Sequence, residues 1–237
     1  MCGICGIVSF NNSNAEQNVI EKMVDSLRHR GPDDNGTSII RASGATVFLG
    51  QTRLSIIDLS PAGHQPLASS CGRYHIVFNG EVYNYRSIKK ELLEKGYVFQ
   101  SESDTEVILY SYIEWGEKSL SKFIGMFAFC IIDLVKNTGF LARDRAGVKP
   151  LYIHKSNKNI LFASEIKAFH KHPEFRKAID TKAFSQYMRF GYIPAPRTIF
   201  VNTKKVMPGS FLKIDLNSGL IDEKIYWSAS DHFLKPQ

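Results

Sequence analysis

The sequence predicts an α+β fold in which two stacked antiparallel sheets are covered by helices on their outer faces. Three observations lead there. Short runs of β-branched and aromatic residues recur along the chain. Turn-forming residues separate several of them at hairpin distance. Only a few segments carry helical periodicity. Consecutive hairpins favour antiparallel pairing, because parallel strands need long crossovers.

The strand segments are Ile4–Phe10, Thr46–Leu49, Tyr74–Phe78, Phe127–Leu134 and Phe140–Ala142. Turns are expected at Asn79-Gly80, Lys136-Asn137-Thr138-Gly139, Ser156-Asn157-Lys158-Asn159 and Asn217-Ser218-Gly219. A helix over Glu16–Arg30 would place Ile20, Met23, Val24 and Leu27 on one face. Gly31 would give it a left-handed cap, and Pro32 would stop it. A second helix over Tyr85–Lys95 would end at Gly96. A third, Asp104–Trp115, opens with Ser103 and Glu106 at capping-box spacing. Asp180 is a suitable N-cap for Thr181–Arg189. Pro194-Ala195-Pro196 reads as an extended loop within one domain spanning 1–237.

Composition narrows the function classes. The 237 residues are 43% hydrophobic and 22% charged, values of an ordinary globular protein. Such a chain buries enough surface to need no metal or disulfide staple. The net charge is +7, but no run of five or six basic residues occurs. A solvated basic face is the simpler reading, and no nucleic-acid partner is expected. Cys2, Cys5, Cys71 and Cys130 are irregularly spaced, which argues against a disulfide scaffold. Cys2-Gly3-Ile4-Cys5 lacks a second ligand pair, so no metal site is expected. Cys5 and Cys130 fit buried strand positions, and Cys71 a loop. No stretch reaches membrane-spanning length, and the first residues lack the pattern of a signal peptide. The chain therefore reads as cytoplasmic, reduced and without a membrane partner.

Cys2 is the residue with the most specific chemistry. Methionine aminopeptidase removes Met1 when the next side chain is small. Cys2 would then carry a thiol and a free α-amine. That amine titrates near ~7.7–8.0, well below lysine at ~10.4. Part of it is neutral at physiological pH and can take the thiol proton. A nucleophile and its base would then share one residue, with no histidine required. Taken alone, a cysteine near the start of a chain is more often a small buried apolar residue.

A series of further motifs changes that balance. Met1-Cys2-Gly3-Ile4-Cys5-Gly6-Ile7 is followed by Arg28-His29-Arg30-Gly31-Pro32-Asp33-Asp34. Arg53-Leu54-Ser55-Ile56-Ile57-Asp58-Leu59, Gly63-His64-Gln65-Pro66 and Asn79-Gly80-Glu81-Val82-Tyr83-Asn84 come next. Ser103-Asp104-Thr105-Glu106, Arg143-Asp144-Arg145-Ala146-Gly147-Val148-Lys149-Pro150-Leu151-Tyr152 and Gly191-Tyr192-Ile193-Pro194-Ala195-Pro196 complete the order. This series closely resembles the N-terminal glutaminase domain of glutamine-hydrolysing asparagine synthetases, which are class II glutamine amidotransferases. The resemblance extends to Tyr226-Trp227 and so covers nearly the whole chain.

The resemblance implies a four-layer αββα sandwich of the N-terminal-nucleophile hydrolase type. It implies free L-glutamine as substrate and Cys2, Asn79 and Gly80 as catalytic residues. Arg53 matches the family's arginine for the substrate α-carboxylate, a task suited to a bidentate guanidinium. Asp104, with Glu81 beside it, matches the carboxylate for the α-ammonium. Leu54, Ser55, Ile56 and Ile57 match the segment lining the same pocket. Asn79 and Gly80 match the oxyanion hole, although from the dipeptide alone a hairpin turn is the better reading. Arg30, His29 and Asp33 read as a structural cluster beneath the pocket. Lys149 and Arg145 resemble residues on its far side and receive no catalytic role.

No cofactor is implied for the glutaminase step. ATP and Mg belong to a synthetase domain whose pyrophosphate loop this chain does not contain. Residues 210–237 are expected to form a C-terminal hairpin leading towards that domain, which would act in cis or in trans. A homodimer is compatible with the sequence. Two alternatives stand beside asparagine synthesis. The same chemistry could serve another acceptor, such as a sugar carboxylate of a surface polysaccharide. The domain could also be catalytically silent and regulatory, against which stand Cys2, Arg53, Asn79, Gly80 and Asp104.

Overall fold

A computed structural model describes residues 1–11 and 16–234. The elements in order are β1 (Gly3–Ser9), α1 (Glu16–Ser26), β2 (Asp34–Arg41), β3 (Thr46–Arg53), β4 (Leu67–Ala68) and β5 (Tyr74–Val82). Next come α2 (Tyr85–Glu94), α3 (Asp104–Trp115), α4 (Ser119–Lys122), β6 (Gly125–Asp133), β7 (Thr138–Arg143), β8 (Tyr152–Lys155) and β9 (Asn159–Ala163). The described chain continues with α5 (Thr181–Phe190), β10 (Thr203–Lys205), β11 (Ser210–Asp215), β12 (Ile221–Ile225) and α6 (Ala229–Leu234).

Two six-stranded sheets form, ordered β10-β8-β9-β1-β3-β2 and β12-β11-β7-β6-β5-β4. Neighbouring strands within them pair antiparallel. A core that includes Ile4, Val47, Leu49, Val77, Cys130 and Leu141 fills the space between the sheets. A second core seats α2 and α3 on the outer face of the second sheet, through Ile88, Leu92, Val107 and Ile108 against Phe129 and Phe140. A third seats α1 on the first sheet, through Ile20, Met23 and Val24 against Phe48 and Leu161. The result is the four-layer αββα sandwich. Central strands are covered on both faces, so they read as continuous apolar runs rather than alternating ones. All seven residues of β1 are buried.

Several sequence expectations need correction. The first helix stops at Ser26, and Arg28–Arg30 make a separate 3-10 turn. Gly31 is extended at φ −151°, not left-handed. Its missing Cβ has a different use, because a Cβ there would lie 2.5 Å from the Arg53 backbone. Asn79-Gly80 is no turn. β5 runs through it to Val82 and stays paired with β6. A Cβ on Gly80 would come 2.2 Å from the Met126 carbonyl oxygen, so glycine permits a close strand approach there. The capping box at α3 is half formed. Ser103 Oγ accepts from Thr105 N at 3.1 Å. Glu106 instead accepts from the N–H groups of Gln100 and Ser101, the latter at 2.8 Å, and pins the incoming chain.

The cap of α5 and three of the turns lie as expected. Asp180 caps α5 through Lys182 N and Ala183 N, and Gly191 closes it in the left-handed region at φ 74°. The turns after β6, β8 and β11 lie where the turn residues placed them. β11 and β12 pair at the edge of the second sheet. Residues 235–237 of the expected C-terminal segment lie outside the described residues. Among the described residues, no helix is long and apolar enough to cross a membrane.

Close approach of α1 to the first sheet depends on Gly50, where a Cβ would meet Val24 Cγ2 at 2.4 Å. Gly50→Val should therefore push α1 off β3 and cost ~1–3 kcal/mol. Urea denaturation monitored by circular dichroism reads this, and an unchanged midpoint would refute it.

Candidate functional site

The site lies where β1, β3, β5 and α3 bring their ends together. Gly3 pairs with Thr52, which sets Cys2 beside the end of β3. The half-buried Cys2 sulfur accepts from Leu54 N at 3.4 Å. Burial pushes the thiol upward, partly offset by that bond and by the nearby chain-terminal ammonium. Arg30 Nε donates to the Cys2 carbonyl at 2.9 Å, and its Nη1 to Glu165 at 2.9 Å. Burial alone would raise the Glu165 carboxyl, but hydrogen bonds from Arg30, His29 and Lys167 bring it down to about 2. This ionic knot clamps the backbone that carries the thiol.

β3 ends in Arg53, whose guanidinium is buried and donates to the carbonyls of Asp58 and Ser60. Gly63 makes room for it, since a Cβ there would fall 2.0 Å from Nη2. The Asp58 carboxylate accepts from Ser60 N at 2.8 Å and Glu102 N at 3.1 Å. The loop after Arg53 is thereby tied to the segment before α3.

β5 carries Asn79, Gly80 and Glu81 to the same place. Asn79 is 0% exposed, yet among the described residues neither atom of its side-chain amide has a hydrogen-bond partner. Asp104, the first residue of α3, accepts from Val82 N at 3.0 Å. Burial, with the charge of Glu81 adding to it, lifts its carboxyl to about 6.

A pocket of about 150 Å³ joins these groups. Cys2, Arg53, Leu54, Ile56, Ile57, Asn79, Gly80, Glu81 and Asp104 all border it. Ser55 does not; its backbone N–H turns away to Asp33 Oδ2 at 2.8 Å. Arg145 is also elsewhere, donating to the Ser121 carbonyl. Lys149, which the resemblance set on the far side, does border the pocket, and so do residues to which sequence reasoning gave no role, Gln65 and Met126 among them. Gln65 accepts from Phe78 N at 2.7 Å and donates to Thr105 Oγ1 at 3.0 Å. One side chain thus links the strand before Asn79 to the helix turn after Asp104. Its Gly-His-Gln-Pro motif was visible, but no spacing rule connects it to β5 or α3.

The pocket presents a thiol, an unpaired amide, a buried guanidinium and a buried carboxylate within one small volume. Such a set can hold a zwitterion at one end and present a carbonyl to sulfur at the other. Among the described residues, no cluster of three His, Cys, Asp or Glu side chains could hold a metal ion.

Comparison with known proteins agrees with this geometry. Residues 1–227 match the family model described as a glutamine amidotransferase domain. The chain is 39% identical to glutamine-hydrolysing asparagine synthetase 3 of Bacillus subtilis, over 92% of this chain and 36% of that protein. It is 36% identical to a putative glutamine-hydrolysing asparagine synthetase 2 of Methanocaldococcus jannaschii, over 98% of this chain and 47% of that protein. The chain thus spans less than half the length of these relatives. The solved structure of glutamine phosphoribosylpyrophosphate amidotransferase from B. subtilis superimposes with a TM-score of 0.68 at 21% identity, over 95% of this chain and 49% of that one, and shares the fold. On the strength of a match that runs from residue 1 to residue 227, the chain belongs to the glutamine amidotransferase domain family.

Proposed function

We propose that this domain hydrolyses L-glutamine to glutamate and ammonia, with Cys2 as nucleophile once Met1 has been removed. The observation that carries this is Asn79. A fully buried amide with both atoms unpaired is costly unless something else pairs with it. Asn79 borders the pocket that holds the Cys2 sulfur, where the oxyanion of a tetrahedral intermediate would form.

The cycle follows from the residues present. The neutral Cys2 α-amine takes the thiol proton, and the thiolate attacks the glutamine δ-carbon. The Asn79 amide and the Gly80 N–H hold the oxyanion. The protonated amine gives its proton to the departing ammonia, leaving a γ-glutamyl thioester. Water, activated by the same amine, then releases glutamate. Arg53 takes the substrate α-carboxylate, and Asp104 with Glu81 takes its ammonium. Leu54, Ile56 and Ile57 wall the space between, while Ser55 acts at most through its backbone. The step needs no cofactor.

The ammonia would go to asparagine synthesis from aspartate and ATP. That reaction would occur in an ATP- and Mg-dependent synthetase domain, joined in cis or supplied in trans, and the whole would act in the reducing cytoplasm. The relatives' names and greater length support this reading. So does α5, which leaves Phe184, Tyr187 and Met188 exposed to about half or more, a patch of the kind that marks an interface.

Three outcomes are expected. Cys2→Ala should abolish glutamate release from glutamine, with intact mass confirming Met1 removal in the parent. Asn79→Ala should lower kcat by ~10²–10³-fold with a smaller change in KM; steady-state kinetics would show a raised KM with kcat unchanged if the amide merely bound substrate. Asp104 gives a pH signature. Its carboxyl sits above the ordinary carboxylate range, at about 6, so the anion that would bind the ammonium is lost as pH falls through that value. KM for glutamine should rise between pH 7 and pH 5. The same shift disfavours the folded state at neutral pH. The stability Asp104 contributes is fully present below about pH 4 and lost as pH rises through about 6. Asp104→Asn should thus gain ~1–3 kcal/mol at pH 7 and little at pH 4 while losing activity. Equal urea midpoints for parent and variant at pH 7 would contradict this.

A further inference from the structure

Lys149 is a buried cation for which the cycle above has no use. It is 4% exposed and borders the pocket that holds Cys2. Its backbone is fixed, because its N–H donates to Asp144 at 2.9 Å and its carbonyl accepts from Arg143 Nε at 2.8 Å. Its ammonium has no hydrogen bond and no ion pair among the described residues. Drawing an ammonium out of bulk water into a cleft without an ion pair is costly, and a protein that tolerates one there commonly uses it.

The charges around it show what is lacking. Arg30, Cys2, Asp144 and Glu81 lie within electrostatic range of Lys149. The Asp144 carboxylate is already engaged by the N–H groups of Phe127, Val148 and Lys149. Arg30 adds repulsion, and burial with that repulsion pushes the lysine downward. Cys2 in turn faces the chain-terminal ammonium, Arg53 and Asp104. Burial pushes its thiol upward, against the attraction of those cations. Glu81 and Asp144 attract the lysine from within electrostatic range, but neither forms an ion pair with it among the described residues, and it shares the pocket with the atom on which the reaction would create an anion.

We propose that Lys149 is the standing positive charge that stabilises the Cys2 thiolate. The proposal rests on Cys2 being the nucleophile. As the thiol proton moves to the α-amine, negative charge appears on sulfur and Lys149 gains its missing partner. When the thioester forms the anion disappears again, so the attraction acts on the nucleophile and not on the intermediate.

The test reads the thiolate directly. Cys71 is exposed, whereas Cys5 and Cys130 are buried, so a Cys71→Ser background leaves Cys2 as the accessible thiol. Alkylation of Cys2 by iodoacetamide is followed by mass spectrometry from pH 5 to pH 10. Lys149→Met should raise the midpoint of the rate profile by about one pH unit, the size of a partly screened charge pair, and slow labelling at pH 7 about tenfold. Lys149→Gln is measured beside it as a second neutral variant, with labelling of Cys5 and Cys130 reporting any loss of fold. Lys149→Arg keeps the charge and should follow the parent. A profile unchanged in either folded neutral variant, or shifted as far by Lys149→Arg as by Lys149→Met, would overturn the proposal. Glutamine is absent from this assay. A parent that fails to release glutamate therefore refutes the hydrolase reading by itself and leaves the thiolate result to be judged separately.

Discussion

The site depends on the pairing of β1 with β3 on one side and β9 on the other. That double pairing fixes the first residues of the chain in the middle of a sheet, where chain ends are otherwise loosely held. Cys2 sits at the mouth of β1, and its neighbour Gly3 is locked opposite Thr52. Ile4 adds a clamp, since its N–H donates to Ser164 Oγ and its carbonyl accepts from Ser164 N. A thiol placed this way is held by backbone geometry, which is more precise than holding it on a loop.

The second sheet supplies the opposing half by a different device. β5 carries an apolar run outward and then continues into polar residues at its end. Antiparallel pairing with β6 keeps that end extended, so Asn79 enters the space between the sheets without satisfying its amide. Gln65 joins this strand to the start of α3, and Asp58 joins the loop after Arg53 to the same helix start. The pocket is thus cross-braced by side chains that have no partner to spare.

The pocket also concentrates unfavourable electrostatics. Asp104 is a buried carboxylate facing Glu81, Lys149 a buried residue whose ammonium feels both Arg30 and the carboxylates of Asp144 and Glu81, and Asn79 a buried amide without a hydrogen-bond partner among the described residues. Each of these makes the empty fold less stable than an apolar pocket would be. The packed cores, from the aromatic packing of Phe129 and Phe140 to the docking of α1, offset that cost. Such local departures from good packing are where function is expected to sit.

The sequence by itself determined the layered antiparallel fold, the cap and closing glycine of α5, and most of the candidate residues that border the pocket. Strand runs, turn residues and helical faces are local signals, and physical chemistry reads them locally. It also determined that Cys2 could be nucleophile and base at once, because both groups belong to one residue. Tertiary structure decided the rest. Asn79-Gly80 reads locally as a turn, and only pairing with β6 makes it strand. Gly31 reads as a helix cap, and only the passing backbone of Arg53 shows why glycine is needed there. Ser55 lies in the same motif as Ile56, yet its backbone N–H bonds to Asp33 and the residue does not border the pocket. Lys149 and Gln65 stand 147 and 63 positions from Cys2 in the chain. Their burial, their partners and their place beside the thiol come from contacts between distant segments, which no local pattern encodes.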